Sequence, residues 1–287
     1  MPIDLKAALG VQIETRHMSW TVDDVILYHL GIGAGAADPT ETAALEYAFE
    51  KNLKVLPSFA VIPAGHSLEG IFSAPGIDID YSLVLHVEQE IRLHRPIPVC
   101  AEVETRCRIA EIWDKRRAAL IVAESITRVK NGEDLFVNRA SLLARGEGGF
   151  GGEGGPRSST RTPNRAPDLV LKSKTTPQQA LLYRLSGDKN PLHADPAVAH
   201  KAGFDQPILH GLCSFGVVLR AVVDEVLDGD VEAVSAYRAR FSGVVYPGET
   251  IVTSLWREDG RIRLTAETAE RGSPVLSNSV IEIGNPT

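Results

Sequence analysis

Residues 146–167 read Gly-Glu-Gly-Gly-Phe-Gly-Gly-Glu-Gly-Gly-Pro-Arg-Ser-Ser-Thr-Arg-Thr-Pro-Asn-Arg-Ala-Pro, and no other feature constrains the fold of this 287-residue chain as much. A run so rich in glycine, serine and proline has too few apolar side chains to build a core and too many breakers to hold a helix or strand. It predicts a flexible connector. The chain then divides into a domain of residues 1–145, a linker of 146–168 and a second domain of 169–287.

The two halves share one plan. In the second, Glu249–Glu258, Arg261–Glu270 and Val275–Ile283 are rich in Val, Ile, Leu and Thr with partial alternation, and Asp259-Gly260 and Gly272-Ser273-Pro274 supply turns between them. In the first, Ala101–Trp113, Ala118–Val129 and Leu135–Ala144 repeat the pattern, with Asn131-Gly132 as one turn. Each trio follows a proline-containing lead, Arg95-Pro96-Ile97-Pro98 or Tyr246-Pro247-Gly248. This is the pattern of a duplicated antiparallel meander. Helices precede both. Leu212–Leu227 is apolar all round its first turns, which predicts a helix buried inside a curved sheet. Val22–Leu30 and Thr42–Lys51 are the first-half candidates, broken apart by Gly31-Ile32-Gly33-Ala34-Gly35. The first half lacks a long apolar helix, so its sheet is expected to leave an apolar groove that a long ligand could fill.

Composition narrows the function classes. The formal net charge of −7 argues against a general nucleic-acid binder, though it leaves room for a phosphate-bearing small ligand. No stretch approaches the roughly 18 consecutive apolar residues of a membrane span. The first residues do not read as a signal peptide, and the last carry no peroxisomal tripeptide. Cys100, Cys107 and Cys213 stand at no metal-like spacing and fit reduced thiols in a cytoplasmic protein.

The chemistry concentrates in residues 183–193, Tyr-Arg-Leu-Ser-Gly-Asp-Lys-Asn-Pro-Leu-His. Gly187, Asn190 and Pro191 forbid a regular element throughout, so the segment is a shaped loop presenting Asp188, Asn190 and His193 together. A carboxylate and an imidazole so placed can move a proton to and from water near neutral pH, although a purely structural turn remains an alternative. His210-Gly211 opens the buried helix. The first amides of a helix lack internal partners, and glycine lets that amide approach a developing negative oxygen. His193, His200, His210, Asp188 and Asp195 show no metal-motif spacing, so no metal is expected. No Gly-x-Ser-x-Gly elbow is present, and the Gly-x-Gly runs lack the setting of a dinucleotide fingerprint.

The stretch Tyr183–His193, followed by Pro207-Ile208-Leu209-His210-Gly211, resembles the motif of the MaoC-like, R-specific enoyl-CoA hydratases (hydratase 2). The two-half layout, the glycine-rich connector and Ala239-Arg240-Phe241 ahead of Tyr246-Pro247-Gly248 are similar to the double-domain members of that family. The resemblance implies an α+β double hot-dog fold, two antiparallel sheets each wrapping a helix, with the first-half helix degraded. It implies catalysis by Asp188 and His193, a loop positioned by Asn190, an oxyanion donor at the Gly211 amide, and Tyr183 lining the site. Tyr28 and Glu50 resemble supporting residues of the first half. His86, Val87, Lys115 and Phe241 fall at substrate-contacting positions, and Val87 replaces a family glycine in a way that could narrow the acyl path.

The activity so implied is reversible hydration of trans-2-enoyl-CoA to (3R)-3-hydroxyacyl-CoA in fatty acid metabolism, on medium to long chains. It needs no cofactor, and the implied assembly is a homodimer. A dehydratase of acyl-carrier-protein substrates, a non-catalytic acyl-CoA-binding module and a hot-dog thioesterase are the competing readings.

Overall fold

The structure is a computed structural model that describes residues 3–65, 68–156 and 162–284. Its strands are β1 (Arg16–Trp20), β2 (Val84–Leu93), β3 (Ala101–Asp114), β4 (Ala118–Val129), β5 (Asp134–Arg145), β6 (Leu169–Lys174), β7 (Val234–Phe241), β8 (Thr250–Glu258), β9 (Arg261–Thr268) and β10 (Pro274–Ile283). The helices are α1 (Leu5–Ala8), α2 (Val22–Gly31), α3 (Thr42–Ala48), α4 (Val61–Gly65), α5 (Gln179–Tyr183), α6 (Pro196–Lys201) and α7 (Gly211–Val226). The two predicted meanders form almost residue for residue, whereas the Thr42–Lys51 helix stops at Ala48.

The strands make one antiparallel sheet in the order β1-β3-β4-β5-β2-β7-β10-β9-β8-β6. Read outward from its middle, each half repeats the other: β2 and β7 are the inner strands, β1 and β6 the outer ones. The halves join through β2 and β7, with Glu88 opposite Arg240 and Arg92 opposite Ala236. Neither joining strand stands out in the sequence. In β2 a bulge falls between His86 and Glu88, and Val87 is the extra residue that breaks the alternation.

In the second half α7 is the central helix that the sequence predicts. Cys213, Phe215, Val217, Val218, Leu219, Val222 and Val223 are all buried on it. Each such side chain contributes roughly 1.5–3 kcal/mol of transfer free energy. The corresponding place in the first half holds only a 3-10 turn, Pro57–Ala60, followed by the single turn of α4. The arrangement is the α+β double hot dog with a degraded first helix.

The first-half sheet is covered in part, and an apolar cavity of about 170 Å³ remains beside the end of β2, lined by Leu53, Val55, Pro57, Leu93, Ile97 and Val231. Ile3 and Ala8 from the N-terminal arm, and Ile71, Ala74 and Ile77 from the segment before β2, close over Ile109, Ile121 and Leu142 of the sheet. Bare apolar sheet is costly in water, so short segments cover what the missing helix leaves. A buried polar belt separates this second core from the main one. Gln89 donates to Asn138 Oδ1 (2.8 Å), Asn138 donates to the Ala60 carbonyl (3.1 Å), and Thr105 bonds Thr127 (2.8 Å).

The glycine-rich run is anchored over its first part. Asp114 accepts the amides of Gly149 (2.9 Å) and Gly151 (3.0 Å), and its own amide donates to Glu153 O (2.8 Å). These amides hold the Asp114 carboxyl below its ordinary pKa. Glycine suits this docking because Gly149 and Gly151 adopt φ of 79° and 83°. Residues 157–161 of the expected linker lie outside the described residues.

Candidate active site

Helix α5 ends in a 3-10 turn, Arg184–Ser186, and the chain reverses at Gly187, whose φ of 135° and ψ of −39° suit only glycine. Two side-chain turns follow. Asp188 Oδ1 accepts the Asn190 amide (3.0 Å), and Asn190 Oδ1 accepts the Leu192 amide (3.0 Å). Asn190 thereby caps the 3-10 turn Pro191–His193, which Pro191 opens. The order Gly-Asp-Lys-Asn-Pro is thus explained by backbone chemistry, and its product is a rigid support for His193.

His193 is nearly buried, at 9% exposure, and its Nδ1 lies 2.8 Å from the Ile208 carbonyl. A carbonyl only accepts, so Nδ1 carries the proton and Nε2 keeps a free lone pair. Burial lowers the pKa of His193, and the Ile208 carbonyl and the nearby Asp188 carboxylate partly oppose that shift. Asp188 is exposed. One side-chain donor atom from each of Asp188, His193 and His210 lies within 4.8 Å of the others. A water at about 2.8 Å from two such atoms spans about that separation.

These three groups could be read as a metal site, but the geometry does not fit one. The His193 and His210 rings are stacked, with centroids 3.7 Å apart and planes 29° from parallel. An imidazole binds a metal in its own ring plane, so rings stacked face to face point their lone pairs past a common centre.

Gly211 is the first residue of α7, is exposed, and follows His210 in extended conformation (φ −58°, ψ 137°). Its amide faces out of the helix start with no helical partner. A Cβ at this position would sit 3.3 Å from the Phe241 ring, so glycine leaves that approach open. Phe241, at the end of β7, packs edge-on against His86 with centroids 5.2 Å apart. His86 donates from Nε2 to Glu88 O (3.1 Å), and burial lowers its pKa to about 4. The bulge at Val87 sets this side chain. The Asp188 charge reaches His86, so the loop and the start of β2 share one site.

Tyr183 and Tyr28 are buried beside this cluster with ring centroids 6.0 Å apart, and Tyr183 packs on His210 at 4.9 Å. The hydroxyls of both tyrosines, and that of Ser58 beside Tyr28, lack a well-formed hydrogen bond. Burial raises both phenol pKa values. Gly31 allows the contact between the halves: a Cβ there would lie 3.0 Å from Tyr183 Cα.

Two expected residues stand apart from the cluster. Glu50 is exposed after α3 and makes no hydrogen bond or ion pair among the described residues. Lys115 is exposed on the β3–β4 turn and donates to the Gly154 carbonyl. That turn lies at the same end of the sheet as His86, three strands away from β2, or roughly 14 Å. His210 is the residue that sequence reasoning missed. The sequence offers it only as the neighbour of Gly211 and as a rejected metal ligand, whereas its ring lies on His193 and its Nε2 lies 3.3 Å from the Asp188 carbonyl.

Residues 18–146 match the family model described as the MFE-2 hydratase 2 N-terminal domain, and residues 158–278 match that of the MaoC like domain. The chain is 46% identical over 286 residues to the enoyl-CoA hydratase ChsH3 of Mycobacterium tuberculosis, covering 99% of this chain and 98% of that protein. It is 38% identical to the peroxisomal enoyl-CoA hydratase 2 of Arabidopsis thaliana, covering 93% of this chain and 91% of that one. Among solved structures, the MaoC-like dehydratase from Phytophthora capsici superposes with a TM-score of 0.87 at 29% identity, covering 99% and 98% of the two chains. No helix among the described residues is long and apolar enough to cross a membrane.

Proposed function

The chain belongs to the MaoC-like hydratase 2 family, and on that premise we propose that it adds water reversibly to trans-2-enoyl-CoA, giving (3R)-3-hydroxyacyl-CoA in fatty acid metabolism. The observation that carries the reading is the meeting of Asp188, the free Nε2 of His193 and the Gly211 amide at one end of α7.

In this reading the thioester oxygen rests against the Gly211 amide, and one water lies between Asp188 and His193. As the water oxygen attacks C3, one of the pair takes a proton. The proton that reaches C2 comes from the same water or from the other partner. Negative charge grows on the thioester oxygen as an enolate, where the helix start and its amide stabilise it. Asn190 acts through the loop backbone. Tyr28 and Tyr183 form the wall behind the loop. His86, Val87 and Phe241 shape the mouth, and Lys115 offers its charge to the CoA part. Glu50 is kept as a supporting residue on the family resemblance alone. The reaction needs neither cofactor nor metal.

The first domain, residues 1–145, is assigned the acyl chain and the second, residues 169–287, the chemistry, with 146–168 joining them. A medium to long chain is favoured because short segments cover the first-half sheet, and such a layer can part for an alkyl chain where one rigid helix would not. Three free cysteines support a cytoplasmic setting. A homodimer is the assembly that the resemblance favours.

Asp188→Asn and His193→Gln test the reading. Each is expected to lower kcat for crotonyl-CoA hydration by about a hundredfold or more with the fold retained by circular dichroism. Near-normal turnover by either variant would remove the mechanism.

A further inference from the structure

The stack of His210 on His193 points to a role beyond that of the loop and the helix start. We infer that His210 is a positioning residue, one that fixes the ring of His193, the backbone of Asp188 and the amide of Gly211 relative to one another. The inference rests on the proposed hydratase reading.

Two contacts of the ring carry it, and the backbone of the same residue ties the ring to the helix start. The His210 ring lies face to face with His193 at 3.7 Å. Its Nε2 lies 3.3 Å from the Asp188 carbonyl, which can only accept, so Nε2 carries the proton and Nδ1 is a bare lone pair. The His210 carbonyl accepts the amides of Cys213 (3.1 Å) and Ser214 (3.2 Å), which closes the first turn of α7 immediately behind Gly211. Two elements far apart in sequence, the loop before Pro191 and the start of α7, are therefore held by one side chain.

The stack also sets the medium around the base. His193 faces His210 from the start of α7 and Asp188 from its own loop, while Arg184 lies near His210 and His86 faces Asp188 from β2. His210 is buried, and burial first and its neighbour His193 second lower its pKa, which favours the neutral ring. An uncharged ring on the face of His193 keeps water from it and helps hold its pKa low. Activity is then retained to lower pH than an ordinary imidazole would allow.

Two variants separate the contacts. His210→Phe keeps the ring and loses the hydrogen bond to Asp188. His210→Gln keeps an amide donor and loses the ring. The readouts are kcat, KM and the acid limb of the pH profile of kcat/KM with crotonyl-CoA. Misplacement of reacting groups by about 1 Å costs on the order of a hundredfold, so His210→Gln is expected to lose roughly ten- to a hundredfold in kcat with KM little changed. Its acid limb is expected to move up toward the ordinary imidazole value of about 6.5. His210→Phe is expected to keep the wild-type limb and to lose less in kcat. An unshifted limb in His210→Gln, or a shifted one in His210→Phe, would overturn the inference. His193→Gln in the same series keeps the two claims apart. If His193→Gln is inactive while the His210 variants match wild type, the positioning role fails alone. If His193→Gln stays active, the hydratase mechanism itself fails.

Discussion

Replacing Gly211 by proline removes the N–H and puts the ring Cδ in its place, while the helix start is otherwise kept. Proline is accommodated at the first helical position, where the amide has no internal partner to lose. The residue before a proline must be extended, and His210 already is, at φ −58° and ψ 137°. The added Cβ would lie 3.3 Å from the Phe241 ring, which must then give by a few tenths of an ångström. Gly211→Ala carries the same Cβ and keeps the N–H, so it measures that crowding alone. The crowding is expected to cost about 1 kcal/mol of stability. Loss of one oxyanion donor costs about 2.7–4 kcal/mol, so Gly211→Pro should lose a further hundred- to thousandfold relative to Gly211→Ala. The charge that the amide stabilises develops only in the transition state, so loss of the donor falls in kcat, whereas crowding by the proline Cδ raises KM as well. Initial rates of enoyl-thioester loss over a range of crotonyl-CoA concentrations separate the two constants, and a melting curve checks the fold. Equal kcat in the proline and alanine variants would refute the assignment of the Gly211 amide.

Two further outcomes concern the layer that backs the site. His29 is buried, with Nδ1 2.9 Å from Tyr47 O and Nε2 accepting the Leu56 amide at 3.2 Å, and burial lowers its pKa to about 4. Below the unfolded value of about 6.5 the unfolded chain takes up a proton that the folded one refuses, so stability is full above that pH and falls toward 4. For this one group the loss between pH 7 and pH 5 is on the order of 2 kcal/mol, and urea titrations at both pH values should show that loss reduced in His29→Gln; an unchanged difference would contradict the account. At Gly216 a Cβ would lie 2.7 Å from the Tyr28 hydroxyl and 2.8 Å from Ile32. Overpacking of about 1–3 kcal/mol should outweigh the gain of about 1 kcal/mol in helix propensity, so Gly216→Ala is expected to lower the urea midpoint, and adding Tyr28→Phe should recover part of it.

What was legible in the sequence was whatever repeats or punctuates. The meanders announce themselves by alternation between turn signals, and α7 by apolar residues on every side of its first turns. The loop announces itself by Gly187, Asn190 and Pro191, each of which has a backbone task in the structure. The joining strands were not legible because pairing across 149 positions, as between Ala239 and Gln89, leaves no local mark, and the bulge at Val87 disrupts what alternation β2 has. Neither was the filling of the first-half sheet. Ile3, Ala8, Ile71 and Ile77 are scattered over short segments with no shared period, and only the folded topology brings them onto one face. The task of Asp114 was not legible either, because its carboxylate is occupied by the amides of Gly149 and Gly151, which lie far along the chain. His210 was hidden for a related reason: a side chain that acts by stacking has no signature in spacing.

The most direct test of the central claim is the product formed from trans-2-decenoyl-CoA and from crotonyl-CoA, resolved by chiral chromatography. Conversion of both to the 3R alcohol, faster with the ten-carbon chain, is the expected result. A 3S product, or release of free thiol with no alcohol formed, would contradict it.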